Sequence, residues 1–588
     1  MSSPSQPGAG RFFDSKLLLM LLREAAPYRR RFLWTGFWVL VVSGMIWIRP
    51  ALIRHAIDVE MAEGDVLGLM WTCLAVVGVL LVEAFLQYRI AYLANWVAQS
   101  VSLDLRSKLF ARVIRFRVKY FDSTPVGTLV TRHIGDIDGI ADVFSNGILN
   151  AVGDLLALVV VVCAMFWMDW EWTLWVLVPI PFLIWATRVF QRHIKKAFVD
   201  VRNEVARMNE FVQEHVTGMS VVQAFGRERR EAQKFEAINA AHRDANIHSV
   251  WAFSVFFPVV ELLSAISVAL LLWFGLNDVV SERMTLGALL QFMLYVFMLY
   301  RPIRQLADRF NVLQMGIVNS DRVFKLLALD AFPAPDGGVK ATERFQGDIR
   351  FEGVWFAYND EDWVLRDVSF HIEPGECIAL VGATGAGKSS IVHLLTRFYE
   401  IQKGAIYIDG RDIREWDLEV LRREIGVVMQ DVFLFSGTLR DNVTLHHDGV
   451  SDAQLDAAIE ALGAADWIQR LPDGWNQDVR ERGAILSVGQ RQLIAFMRAQ
   501  IQHPSILVLD EATSSIDRES ERLVQRATEE MTEGRTSLLV AHRLSTIRHA
   551  SRIFVVQQGQ IVQSGHHDVL VSQPGPYRTL YEKQFKYT

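Results

Sequence analysis

Cysteine is almost missing from this sequence: Cys73, Cys163 and Cys377 are the only three in 588 residues, and they stand far apart. Such spacing offers neither a disulfide framework nor a metal-binding cluster, and it suits a reducing compartment. No basic tract suited to nucleic acid occurs, and the net charge of −6 names no polyanionic partner. The opening MSSPSQPGAG is polar and the LLLMLL after it is too short to cross a bilayer, so no cleaved signal peptide is expected. Solenoid repeats and low-complexity tracts are absent as well. Long apolar runs are lacking too, but only beyond about Gln314. The chain is 51% hydrophobic and yet 21% charged, with a mean hydropathy of +0.19. A membrane part followed by a soluble part accounts for both figures.

Arg11 to Ala26 alternates leucines with Lys16, Arg23 and Glu24, as an interfacial helix does, and Pro27 ends it. Six apolar stretches follow: Phe32 to about Ile57, then Val66–Val97, Ile137–Trp167, Trp172–Phe190, Val250–Leu276 and Ala288–Tyr300. Each approaches the ~20 residues that a bilayer requires, the last being interrupted by Arg301 and Arg304. Segments after the first, third and fifth contain one basic residue, Arg283, whereas those after the second and fourth are rich in arginine and lysine. The positive-inside rule then makes the latter cytoplasmic, with both termini. Both run for tens of residues at helical spacing, for example Leu105, Leu109 and Val113, and break at Thr124-Pro125-Val126-Gly127 and Thr217-Gly218. They read as stalks whose tips press on a soluble domain. The expected division is a tail with interfacial helix over 1–31, a membrane domain over 32–327, a Pro- and Gly-rich linker over 328–347 and a second, soluble domain over 348–588.

The chemistry is densest in VGATGAGKSS, Val381 to Ser390. Gly382, Gly387, Lys388 and Ser389 fit G-x-x-x-x-G-K-[ST]. The loop through Ala383, Thr384, Gly385 and Ala386 points backbone N–H groups at phosphate, and Ser390 follows within the helix. ECIALV reads as the feeding strand and IVHLLTRFY as the helix beyond. Lys388 is expected to reach the β- and γ-phosphates and Ser389 to hold Mg²⁺. SILVLDE, Ser505 to Glu511, ends an apolar strand on two carboxylates. Asp510 is placed to hold Mg²⁺ through water, and Glu511 to polarise the water that attacks the γ-phosphate. Strand-like runs alternate with helical ones from Ile349 to Val556, so this half is α/β.

LSVGQRQL, Leu486 to Leu493, resembles the signature of the ATP-binding cassette (ABC) transporters, with Ser487, Gly489 and Gln490 in place and Val488 where the family has glycine. The resemblance extends over nearly the whole chain. Tyr358 is similar to the aromatic that stacks on adenine, and Gln430 to the glutamine between the Mg²⁺ site and the membrane domain. Ser514, Ser515, Ile516 and Asp517 resemble the loop that crosses to the partner, and His542 the histidine at the γ-phosphate. Arg480 to Gly483 resembles the segment that touches the stalk tips, and Phe121–Asp138 and Glu214–Glu228 resemble exporter intracellular loops.

What the resemblance implies is an all-α six-helix transmembrane domain followed by an α/β P-loop ATPase domain, that is, an exporter half-transporter. Its cofactors would be ATP and Mg²⁺, and its place a bacterial inner membrane. ATP would lie between the Gly382–Ser389 loop of one chain and the Ser487–Gln490 signature of another, so a second half-transporter is required. Val488 with an intact Glu511 resembles the B-type subunit of bacterial heterodimeric multidrug exporters, and a heterodimer is expected ahead of a homodimer. The rival expectation is an ATP-controlled gate or sensor that pumps nothing. Glu83, Asp154, Glu261, Arg301 and Arg304 fall at a similar depth in their spans. Charges are costly inside a bilayer, so they are expected either to bridge helices or to line a cavity for cationic amphiphiles.

Overall fold

The computed structural model describes residues 15–332, 338–339, 344–359, 361–447, 449–510, 518–541 and 544–585. The chain forms two compact units, one from residues 1–114 and 126–329, the other from 115–125 and 330–588.

The first unit is helical. Among the described residues five helices are long and apolar enough to cross a membrane: Ala26–Glu63, Val66–Val113, Val126–Met168, Trp170–Thr217 and Glu228–Val280. The sixth, Leu286–Ala328, has a shorter apolar part, Leu286–Pro302, because arginines enter after Tyr300. The helix Val66–Val113 has 48 residues, roughly 72 Å at 1.5 Å per residue and more than twice the hydrocarbon thickness. Its apolar stripe simply continues past the membrane part: Val97, Val101, Leu105 and Leu109 are all buried. The short helix Ser15–Glu24 ties onto this stalk through Glu24, whose carboxylate accepts from Lys108 Nζ at 2.6 Å. Aromatic rings fill the core around Trp172, Phe292, Tyr295 and Tyr300. Ser267 Oγ bonds the Val176 carbonyl at 2.9 Å and the Tyr300 hydroxyl at 2.8 Å, so the polar atoms there are satisfied within the packing. Small residues let two helices close up at Gly316, where a Cβ would lie 1.8 Å from Val143 Cγ2.

The second unit is α/β. One sheet has the order β2-β1-β4-β5, from β1 (Ile349–Ala357), β2 (Trp363–Ile372), β4 (Lys403–Ile408) and β5 (Arg411–Asp412), and all its pairings are antiparallel. The other has the order β10-β9-β3-β8-β7-β6, built from β3 (Cys377–Val381), β6 (Ile425–Val428), β7 (Ile506–Asp510), β8 (Thr536–Val540), β9 (Arg552–Gln557) and β10 (Gln560–Gly565). Strands β9, β3, β8, β7 and β6 run parallel. Their continuous apolar runs follow from burial on both faces: every residue of β8 is buried. Strand β10 alternates exposed and half-buried residues and pairs antiparallel at the edge.

The contacts divide the first stalk loop in an unexpected way, since residues 115–125 pack with the α/β unit. Arg117 N–H donates to the Ala331 carbonyl at 2.9 Å and its Nε to the Phe332 carbonyl at 2.6 Å. The helix Val118–Ser123 follows, and Thr124-Pro125 ends it as expected of an X-Pro step.

Candidate functional site

Strand β3 delivers the chain into the loop Gly382–Gly387, and the helix Lys388–Leu395 leaves it. Two of the glycines are forced. Gly382 passes so close to β9 that a Cβ would sit 2.2 Å from the Val556 carbonyl oxygen. Gly387, at φ +107°, is left-handed, and a Cβ there would meet Leu365 Cδ2 at 2.7 Å. Lys388 is buried inside the resulting cradle, its Nζ donating to the carbonyls of Gly382 at 2.8 Å and Ala383 at 3.1 Å. Burial lowers its pKa, and the Asp510 carboxylate works the other way. Asp510 ends β7, which is separated from β3 by β8, and its carboxylate lies within electrostatic reach of Lys388 at the start of the helix. Ser389 is exposed at the helix start, whereas Ser390 is buried. A cradle that only glycine can form, an enclosed ammonium, an open hydroxyl and a nearby carboxylate fit a nucleotide triphosphate with its divalent cation.

Tyr358 lies beside this helix, its hydroxyl 3.0 Å from Ser390 Oγ and 3.2 Å from His393 Nδ1. Burial raises its pKa, so it is a neutral phenol. Its ring stands edge-on to Tyr399, centroids 4.9 Å apart, and the Tyr399 hydroxyl donates to Asp122 on the stalk-loop helix. Burial, and next the bond to Asp122, push the Tyr399 pKa up. His393, Tyr399 and Asp122 were not among the residues singled out from sequence. A signal was present, since an aromatic-acid pair (Phe121-Asp122) stands at a loop tip and an aromatic pair (Phe398-Tyr399) follows the loop's helix.

The signature residues occupy a separate helix, Val488–Gln502. Ser487 caps it: its Oγ accepts from Gln490 N–H at 3.2 Å, and Gln490 Oε1 accepts from Ser487 N–H at 2.9 Å. Gly489 is buried and Gln490 half-buried, while Val488 points outward, 39% exposed, in ordinary helical backbone. The position therefore has no conformational need for glycine. Arg480 and Arg482 just before it hold left-handed backbone, φ +59° and +53°. Gln430 is exposed after β6. Glu511, Ser514, Ser515, Ile516, Asp517 and His542 lie outside the described residues.

Of the five charged membrane residues, Asp154 and Arg301 lie within electrostatic reach of each other. Asp154 Oδ2 lies 3.5 Å from Arg309 Nε, an interhelical pair with a residue absent from the sequence-based set. Glu83 is half-buried and Glu261 exposed, and the Arg304 side chain lies outside the described residues. A cavity of about 970 Å³ in the membrane unit has none of the five among its lining residues. Trp47, Arg54, Asp58, Cys163, Trp167 and Tyr295 are among its walls.

The chain matches two family models, the ABC transporter transmembrane region over residues 33–303 and the ABC transporter model over residues 365–514. It is 33% identical over 568 residues to an ATP-dependent lipid A-core flippase of Syntrophus aciditrophicus, covering 96% of this chain and 94% of that protein. It is 32% identical over 572 residues to the putative multidrug export ATP-binding/permease protein YgaD of Bacillus subtilis, covering 95% and 97%. Among solved structures it is similar to a bacterial Atm1-family ABC exporter with ATP bound, at TM-score 0.77 and 26% identity, over 95% of this chain and 99% of that one.

Proposed function

This chain belongs to the ABC transporter family as an exporter-type half-transporter, an ATPase coupled to transport, and on that premise we propose that it works as one half of a dimer exporting a hydrophobic or amphiphilic compound. The observation that carries the reading is Lys388 enclosed by the glycine loop, within electrostatic reach of Asp510, in a chain whose other unit is a set of membrane-length helices. In this reading Tyr358 holds the adenine, the Gly382–Ser390 loop holds the phosphates, and Ser389, Gln430 and Asp510 hold Mg²⁺. Glu511 and His542 serve at the γ-phosphate. The Ser487–Gln490 helix start serves the ATP of the partner chain, and the Ser514–Asp517 loop crosses to it. ATP favours the closed pair of nucleotide domains, and the stalks carry that preference into the membrane as alternating access. The orientation that fits the loop charges puts both termini and the nucleotide domain in the cytoplasm of a bacterial cell. Val488 beside an intact Glu511 supports a heterodimer ahead of a homodimer. Relatives named for lipid A-core flipping and for multidrug export support the class of cargo.

The test is reconstitution into vesicles with ATP outside and a fluorescent amphiphile as cargo. Wild type should accumulate the cargo against its gradient. Glu511→Gln should bind ATP but lose roughly 10²–10⁴-fold in hydrolysis, the usual worth of a general base. Passive ion flow without accumulation would instead establish the gate. Mass measurement of the purified complex distinguishes a second copy from a different chain.

A further inference from the structure

We propose that a cleft between the helices Ile180–Thr217 and Glu228–Val280, at the stalk-side edge of the membrane, binds the phosphodiester headgroup of an acidic phospholipid of that leaflet. The cleft has a volume of about 820 Å³, and Arg192, His193, Lys196, Asp200, His248 and Trp251 line it. Its level follows from the sequence. Arg192 comes two residues after Phe190, where the apolar run of the first helix ends, and Trp251 comes one residue after Val250, where that of the second begins. Both walls therefore lie where hydrocarbon gives way to headgroups, the depth at which tryptophan anchors and basic side chains meet lipid phosphate.

Helical spacing aims these side chains at a common point. Arg192 and Lys196 are four residues apart on one helix, and His248 and Trp251 three apart on the other, so each pair shares a face. Asp200 is one turn farther from the membrane than Lys196, which leaves the cations nearest the bilayer. Among the described residues, ion pairs join Arg207 to Glu204 at 3.5 Å and Arg243 to Asp244 at 2.7 Å, but none forms at Arg192 or Lys196. His193 Nδ1 is 2.9 Å from the Val189 carbonyl oxygen, which turns Nε2 away from its own helix. Trp251 and Ile247 are 61% and 55% exposed beside the cations. Unpaired cations would suit any small anion; the apolar rim adds a place for the first acyl carbons, which only a lipid has. The site is independent of whether the chain pumps or gates, because neither the nucleotide cradle nor the large membrane cavity contributes to it.

The test is native mass spectrometry of the purified full-length assembly after incubation with phosphatidylglycerol, phosphatidylcholine, or glycerophosphoglycerol, the headgroup without chains. Wild type should retain phosphatidylglycerol about tenfold over phosphatidylcholine, and R192Q/K196Q should erase that preference, as loss of two charge-assisted contacts predicts. R207Q/R229Q, which removes equal charge outside the cleft, should keep it, and glycerophosphoglycerol should not compete. Three results would overturn the proposal: an unchanged preference in R192Q/K196Q, equal competition by the chain-free headgroup (an anion site without lipid), or no retained phosphatidylglycerol in wild type, as when a partner helix fills the cleft.

Discussion

Replacing Tyr399 with phenylalanine removes one oxygen from the α/β unit and should loosen the stalk loop that packs there. The Tyr399 hydroxyl donates to the Asp122 carboxylate, and the residue is 9% exposed. A hydrogen bond to a charged group contributes ~1.5–3 kcal/mol net. At 1.36 kcal/mol per decade, that corresponds to local opening about 13- to 160-fold more frequent. The assay is hydrogen exchange of full-length protein in nanodiscs, read on peptides that cover residues 115–125. Two loop amides are positioned to report, Arg117 N–H to Ala331 O and Tyr120 N–H to Arg117 O, both at 2.9 Å. Asp122→Asn should accelerate the same peptides, and the double variant should be little worse than either single one, since one bond is lost in all three. The pH dependence has a definite sign. A raised folded pKa means that this contribution is complete below the ordinary phenol value of 10.0 and is lost only as pH rises through the folded value. Exchange in this segment corrected for its intrinsic rate should then be level from pH 7 to 9. Protection within twofold of wild type in Tyr399→Phe would refute the reasoning.

Lys388→Ala should weaken ATP binding about 10- to 150-fold, the worth of a lost charge-assisted contact, as measured by equilibrium dialysis. Val488→Gly should leave ATPase within about twofold, because the backbone N–H groups of the helix start are unchanged by a side chain that points outward; a large gain would mean the valine obstructs the site. Burial raises the Cys377 thiol to about 11 from 9.0, so at pH 8 its alkylation should be roughly a hundredfold slower than that of an ordinary thiol. Peptide mapping after iodoacetamide reads this directly.

The nucleotide loop was legible because its residues answer to local rules. A close approach requires Gly382 and a left-handed turn requires Gly387, and both needs are written in the sequence. The buried parallel strands were legible for a related reason, since β3 and β6 to β9 each contain a short apolar run, such as IALV, ILVL and IFVV. Strand β10 was missed because QIVQSG alternates weakly and takes its conformation from pairing with β9. Strand β5, at two residues, is too short to leave a pattern. At Val488 the helical backbone needs no glycine, and the capping box of Ser487 and Gln490, which satisfies the helix start, is kept.

Two further features were out of reach because they depend on azimuth rather than on position along a helix. Counting residues gave the charged membrane residues a common depth, but depth does not say which way a side chain turns. Asp154 turns to Arg309, eight residues beyond Arg301 and so roughly 12 Å farther along the helix axis. A pair that spans such an offset belongs to the packing of two particular helices, which a one-dimensional count cannot register. The stalk loop is the same problem in another form. Its sequence marks where the helix breaks, at Thr124-Pro125, but residues 115–125 have their partners, Tyr399, Ala331 and Phe332, more than 200 positions away. Loop closure over such distances costs only slowly more with length, so the chain itself leaves no trace of the choice. What fixes it is a carboxylate that finds a buried phenol, and the ring of that phenol touches Tyr358, whose hydroxyl in turn meets Ser390 of the nucleotide loop's helix. The stalk loop and the nucleotide cradle are thus two side chains apart inside one packed unit.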